Sequence, residues 1–499
     1  MQQNDILKQK LLEYRNDKID IETLIHFFDT NNYTNKEIKE NGIVYTPKYI
    51  SDYIISKIKP RLEETIFEPS VGHGIFIISL LEYIQKTYSL TNEELKNYFI
   101  QKVYGQDLQQ QNIKELKSIL IAYFFKKNII LSDDTFTKLF VGDTLFSQKQ
   151  SFDIIVGNPP YVRTKNIEST YLKKLRKEYF SCSKGNIDLY YAFIEFAFQH
   201  SKRCSFIIPN SWIYNSSAKN LRFKIKDNLL EVIDFKQKKI FDNASTYTSI
   251  FFIDKNKHID KIEYKEDLNS NYINVLKKDL KDERWVFKNE YIKSLNLNTI
   301  DFNTPIATLR DKVYITNDID TNDMISFYKI SKIKNETDFF NSEQKIIFPY
   351  KKENNKYIIK SETELDNKTF DYLNKNKKEL LKRDKGKQAK YENWFAFGRK
   401  QGLNTFSKDN IIIIPGMISQ TFKFFSISLS KIKQPFLFSS GFIIEVDDCE
   451  KNILLDFLNS KDFSSYLKNN GKIWKGKTED TSYYSLSIKQ LKYIFNSNL

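Results

Sequence analysis

Residues 152–161 read FDIIVGNPPY, and the kind of fold open to the chain turns on this stretch. From Phe152 to Gly157 the side chains are apolar except for Asp153, so the run lacks the alternation of a half-solvated strand and predicts one buried on both faces of a sheet. It ends at Asn158-Pro159-Pro160-Tyr161, where two consecutive prolines fix φ and remove two backbone donors. A rigid loop that presents only carbonyls therefore caps the strand. Runs of the same character recur on either side: TIF at 65–67, KVYG at 102–105, CSFII at 204–208, LLEVIDF at 229–235 and SIFFI at 249–253, with helix-length amphipathic segments between them. Buried strands alternating with helices predict an α/β, doubly wound, mostly parallel sheet. In such sheets ligands bind outside the carboxyl ends of the strands, which makes the residues just after each run the candidates for function.

The run at 65–67 continues into FEPSVGHGIF at 67–76. Gly72 and Gly74 permit a tight turn and a close approach of ligand to backbone. The acidic Glu68 ahead of them and the missing third glycine separate this stretch from a dinucleotide fingerprint. An acidic mouth repels a pyrophosphate and suits a cofactor that carries an ammonium and a sulfonium. Asp107 closes VYGQD, where a carboxylate can accept both hydroxyls of a ribose. Asp143 closes LFVGD, where it can accept from an amino group on a bound ring. At the 158–161 loop, the Asn158 side-chain oxygen and the Pro159 carbonyl can accept from one NH2 group. Two acceptors pull a ring-conjugated amino nitrogen towards tetrahedral geometry and localise its lone pair, so attack needs no basic residue. Tyr161 can stack on the same ring.

The chain has 499 residues, enough for two or three domains. Hydrophobic residues are 40% and charged residues 28%, which excludes wholesale disorder. Lys and Arg total 78 against 63 Asp and Glu, a formal charge of +15, which favours polyanionic partners. Cys182, Cys204 and Cys449 are too scattered for a disulfide framework, and the four His show no ligand spacing, so reduced thiols and no metal site are expected. No apolar stretch approaches the roughly 20 residues of a membrane span, and the start lacks a signal-peptide core, so no membrane association and a cytoplasmic location are expected. The chain divides into a helical lead-in at 1–43, a catalytic domain at 44–255, a lysine-rich connection at 256–300 and an α+β domain at 301–499. Within 371–400 there are ten Lys and Arg against four Asp and Glu. Lys382 and Arg383 are candidates for phosphate contacts, and Arg399 and Gln401, beside Trp394 and Phe397, for base-edge or stacking contacts. Trp394 and Phe397 read equally well as core residues.

Taken together, NPPY, FEPSVGHGIF, VYTPKYI at 44–50, GNIDLYYAFIEFAF at 185–198, FIIPNSWI at 206–213 and KKIFDNASTYTSIFF at 238–252 resemble the N6-adenine amino-methyltransferases of restriction–modification systems. The similar C-terminal stretches are IATLRDKVYI, LLKRDKGK, WFAFGRKQGLN and YYSLSIKQLKYI. The resemblance implies a Rossmann-like methyltransferase sheet, S-adenosylmethionine as cofactor, double-stranded DNA as partner, and a C-terminal target-recognition domain. It implies that Thr46 and Pro47 lie at the methionine end of the cofactor, Phe146 near its adenine, and Phe241 on the face of an extruded base opposite Tyr161. Base flipping is expected because the amino group of a paired adenine is buried. His73 stands where small or polar residues are usual, a departure read as harmless. The alternatives are cytosine N4, where Ser or Thr more often replaces Asn158; an RNA base or a protein glutamine, whose enzymes are usually shorter; and a bifunctional restriction-methylation enzyme. EYK at 263–265 and ELK at 94–96 fit a nuclease set only at chance level. A separately encoded restriction endonuclease acting on the same site is a partner the resemblance leaves open.

Overall fold

The computed structural model describes residues 3–31, 44–236, 238–241, 247–280, 300–354, 356–383, 391–399, 401–403, 405–419, 421–474 and 483–486, with isolated positions between 281 and 299 and after 490. The chain forms two compact units, Met1–Phe287 and Lys288–Leu499. The second half of LLKRDKGK and much of YYSLSIKQLKYI lie outside the described residues.

In the first unit the buried runs become strands β1 (Ile66–Glu68), β2 (Val103–Asp107), β3 (Leu139–Val141), β4 (Phe152–Gly157), β5 (Ser201–Pro209), β6 (Leu229–Asp234), β7 (Thr248–Asp254), β8 (Lys261–Lys265) and β9 (Ile273–Leu276). They form one sheet in the order β3-β2-β1-β4-β5-β7-β6-β8-β9. β1, β2, β3, β4 and β5 pair in parallel, and β7 inserts antiparallel between β5 and β6.

Why the runs lack polar alternation is visible in how their side chains divide. Ile66, Ile154, Val156, Ile207, Ile233 and Ile250 join one core with the helices Ile21–Asn31, Lys48–Ile58, Ile75–Tyr88 and Gln110–Phe125. Their neighbours Phe67, Ile155, Phe206, Ile208, Val232 and Phe251 join a second core with the helices Ser169–Glu178, Tyr190–His200 and Lys219–Ile225 on the opposite face. Each strand feeds two apolar layers, and full burial of each such side chain stabilises by roughly 1.5–3 kcal/mol.

Two boundaries differ from the sequence reading. Residues 256–300 are not simply a connection: β8 pairs in parallel with β6, β9 pairs with β8, and Trp285 and Phe287 are buried in the second core. Lysines hid these strands: in KIEYK the buried residues are Ile262, Tyr264 and Lys265, while Lys261 points to solvent. The helices Gln3–Arg15 and Ile21–Asn31 are part of the same unit, with Leu24, Ile25 and Phe28 fully buried in the first core.

The second unit is α+β. The strands Asp301–Asn303, Gly441–Val446, Asn410–Pro415 and Ser426–Ser428 form an antiparallel sheet that shares a core with the helices Asp448–Leu458 and Lys461–Asn470. Met324–Lys329 is central to a mixed three-stranded sheet between Glu343–Ile347 and Phe436–Ser439.

Candidate active site

From β1 the chain winds outward to β2 and β3, whereas β4 and β5 lie on the other side. Such a reversal opens a crevice at the carboxyl ends of the two strands that flank it. Here those ends are Glu68 of β1 and the Asn158 loop after β4.

The turn after β1 is built for close approach. Gly72 and Gly74 have φ of +49° and +86°, the left-handed region that favours glycine. A Cβ on Gly74 would lie 2.4 Å from Leu116 Cδ1, whereas one on Gly72 would meet nothing within 4 Å. Gly74 is favoured by its left-handed backbone, and a side chain there would press against Leu116, whereas Gly72 opens onto free space. The Gly72 N–H donates to Asp107 Oδ2 at 3.0 Å, while Gln109 N–H and Asn112 Nδ2 donate to Asp107 Oδ1 at 2.9 and 3.0 Å. These bonds orient a buried carboxylate whose pKa burial raises and whose donors, with His73, oppose the rise.

Glu68 is 4% exposed. Its Oε2 has no hydrogen-bond partner among the described residues, and burial, then Asp107 and Asp29, raise its pKa well above the ordinary carboxylate range. A buried, unpartnered carboxyl oxygen is costly unless a ligand completes it. Glu68, the open backbone at Gly72 and the carboxylate at the end of β2 fit a ligand with a cationic group and a ribose.

Asp143 caps the short helix Thr144–Ser147 through a bond from Leu145 N–H at 3.1 Å and also accepts from the Tyr171 side chain. Phe146 is half-buried and meets Tyr171 edge-on at 5.4 Å. Tyr171 is a residue the sequence reading missed, since nothing in its helix marks it as facing the end of β3.

The Asn158 amide is anchored from the N-terminal side of the unit. Its Nδ2 donates to Val44 O at 3.0 Å and to Thr46 Oγ1 at 2.9 Å, and its Oδ1 has no partner among the described residues. Ser70 Oγ donates to the Asn158 carbonyl at 3.2 Å, tying this loop to the turn after β1. Pro47, which follows Thr46, is the N-cap residue of the helix Lys48–Ile58. Pro159 is buried and Pro160 half-buried. Tyr161 donates to Ile207 O at 3.1 Å, and its ring lies 6.5 Å from that of Phe241 with a 52° tilt. A planar base between two rings needs about 7 Å and near-parallel faces. Phe241 is itself 4% exposed, so its ring must turn to admit one.

His73, between the two glycines, is not the harmless variation the sequence suggests. Its ring bridges Asp29 at 2.5 Å and Glu115 at 2.8 Å.

The candidate DNA contacts all lie in the second unit, and Arg383 is a correction. It is 2% exposed: Nε donates to Leu380 O at 2.7 Å, Nη1 to Ala396 O and to Tyr314 OH, and Nη2 to Trp394 O at 2.5 Å. The guanidinium satisfies backbone carbonyls and has no face left for a phosphate. In a lysine-rich stretch, sequence cannot tell an inward arginine from an outward one. Lys382 is exposed and pairs with Glu379. Phe397 is core, Trp394 is half-buried, and Arg399 and Gln401 are exposed on a segment that bridges Ala307.

Residues 64–241 match the family model described as Eco57I restriction-modification methylase. The chain is 24% identical to the Type II restriction enzyme and methyltransferase RM.Eco57I of Escherichia coli, over 78% of this chain and 49% of that protein. It is 29% identical to the Type II methyltransferase M.HincII of Haemophilus influenzae, over 51% of this chain and 42% of that protein. The chain thus spans half or less of the length of these curated relatives. Among solved structures, the Type IIL restriction-modification enzyme MmeI in complex with DNA superposes with a TM-score of 0.60 at 12% identity, covering 94% of this chain and 69% of that one. Residues 64–241, the stretch of this chain that is similar to the Eco57I restriction-modification methylases, contain β1 to β6 and the Asn158 loop.

Proposed function

We propose that this chain is a site-specific DNA methyltransferase that transfers a methyl group from S-adenosylmethionine to N6 of an adenine flipped out of duplex DNA, within a restriction–modification system. The observation that carries the reading is the Asn158 side chain. Both of its amide hydrogens are engaged by Val44 and Thr46, which leaves Oδ1 as a fixed acceptor without a partner at the end of β4. With the Pro159 carbonyl, it can accept from the amino group of a base and localise the nitrogen lone pair. Such preorganised acceptors strengthen as positive charge develops on nitrogen.

S-adenosylmethionine supplies the transferable methyl on its sulfonium. Glu68 and Thr46 with Pro47 would hold its methionine end, Asp107 its ribose, and Asp143 with Phe146 its adenine. Gly72 and Gly74 keep the backbone clear of it. Tyr161 and Phe241 would stack the extruded base, which offsets unpairing by about 1–3 kcal/mol per stacked base. Arg399, Gln401 and Lys382 in the second unit would meet DNA. The ELK and EYK stretches have structural work instead: Glu94 caps its helix with Thr91, and Lys265 donates to Leu268 O against the Tyr53 and Tyr272 rings.

Sequencing modified bases in DNA from a methylation-free host that expresses the protein tests the reading. N6-methyladenine confined to one motif is expected; N4-methylcytosine, or no modification, overturns it.

A further inference from the structure

His73 lies inside the glycine turn, yet the turn itself does not need a histidine. The left-handed φ values fall on Gly72 and Gly74, and a small residue between them would satisfy the backbone equally well. Instead the position holds a ring that is 2% exposed and bonded at both nitrogens to carboxylates from two other elements. Asp29 comes from the last turn of the helix Ile21–Asn31, and Glu115 from the helix that follows β2. A buried ionisable group between two carboxylates is a demanding arrangement, because removing any partner leaves an uncompensated charge.

We propose that His73 is a positioning residue for the cofactor pocket: clamped between Asp29 and Glu115, it ties the helix Ile21–Asn31 to the Gly72–Gly74 turn and holds that turn and Asp107 ready for S-adenosylmethionine. The assignment rests on the reading of the pocket given above. Three observations carry it. The residue before His73 donates its N–H to Asp107, so a shift of the ring moves that donor. The charge on His73 also acts on Asp107 directly, opposing the rise that burial causes. Finally, the ring is charged at neutral pH: burial pulls its pKa down, but Asp29 and Glu115 outweigh burial and hold it at about 9. The groups that face this cluster are Asp29 and Glu115 on their helices, Asp107 at the end of β2, and Glu68 at the end of β1, which senses Asp107 and Asp29. A neutral residue at position 73 would therefore loosen the turn and let Asp107 take up a proton more readily.

The test uses the full-length chain with His73→Gln and Asp29→Asn, each followed by calorimetric titration with S-adenosylmethionine across pH and by hydrogen exchange. His73→Gln is expected to weaken binding by about ten-fold or more, as misplacement of a binding group does. The deficit should grow as pH falls, because loss of the His73 charge lets the Asp107 carboxyl take up a proton more readily. Asp29→Asn should weaken binding less, and exchange should rise together in 21–31 and 70–76. A folded His73→Gln protein with wild-type affinity, or with the same deficit at every pH, overturns the proposal. If that variant does not fold, Asp29→Asn decides: faster exchange in 21–31 with unchanged affinity overturns it. Wild-type protein that binds no S-adenosylmethionine would instead overturn the reading of the pocket, and no variant is needed to see it.

Discussion

Thr46 Oγ1 accepts a hydrogen bond from Asn158 Nδ2 at 2.9 Å across 112 residues of chain. With Val44 O on the other amide hydrogen, it determines which way the amide faces, and so which atom of Asn158 is left to accept. Asn158→Ala should retain S-adenosylmethionine binding and lose methyl transfer by about 10²–10³-fold, the usual effect of deleting one preorganised polar group. Thr46→Val should lower the transfer rate about ten-fold, since one net hydrogen bond is at stake. Single-turnover transfer to duplex DNA, alongside calorimetric cofactor affinity, separates the two effects. Full activity in Asn158→Ala would remove the mechanism.

Asp107→Ala should weaken S-adenosylmethionine binding by about 10–100-fold, because bonds to a charged acceptor contribute roughly 1.5–3 kcal/mol. Binding by the wild-type protein should be the same with and without EDTA. Calorimetry reads both, and unchanged affinity in the variant would place the ribose elsewhere.

Cofactor binding should release protons. Burial, then Asp107 and Asp29, keep Glu68 protonated well above the ordinary range, and an arriving cation favours the ionised form. Calorimetric titrations in buffers of different ionisation enthalpy measure the proton count. Release should vanish in Glu68→Gln, and a buffer-independent heat in the wild type would contradict the assignment.

The His73 clamp has its own pH signature in stability. Its folded pKa, about 9, lies above the ordinary histidine value of 6.5, so its contribution is fully present below that value and is lost as pH rises through about 9. Thermal melting of the first unit should therefore fall more steeply between these limits in the wild type than in His73→Gln. Parallel melting curves would show that the ring is neutral.

Arg383→Ala should destabilise the second unit, because each buried acceptor left without its donor costs about 1–3 kcal/mol. It should leave the salt dependence of DNA binding unchanged. Lys382→Ala or Arg399→Ala, if either meets a phosphate, should each reduce the slope of log K against log salt by about 0.9. Melting temperatures and a salt series distinguish these roles, and a reduced slope in a folded Arg383→Ala protein would reverse the correction.

The features legible in the chain before folding are local and periodic. Unalternating runs such as FDIIVG mark strands buried on both faces, and the separate cores that receive Ile154 and Ile155 show why. Glycines at 72 and 74 and prolines at 159 and 160 declare their backbone needs in their own chemistry, so the turn after β1 and the loop after β4 were legible without a structure. Even so, the strands of KIEYK and INVL went unread, because lysines and asparagines in the last two strands of the sheet interrupt the pattern that burial writes in its centre.

Partnerships between distant residues, and the direction a side chain faces, arise only in the folded protein. Asn158 finds Thr46, His73 finds Asp29 and Glu115, and Asp143 finds Tyr171 through packing of helices on a sheet whose strand order no periodicity encodes. Arg383 and Lys382 are adjacent and alike in charge, yet one is buried against four acceptors and the other is exposed. The physical reason is that charge and composition are properties of a residue, whereas desolvation belongs to its neighbours, and those neighbours are assembled only when the chain folds.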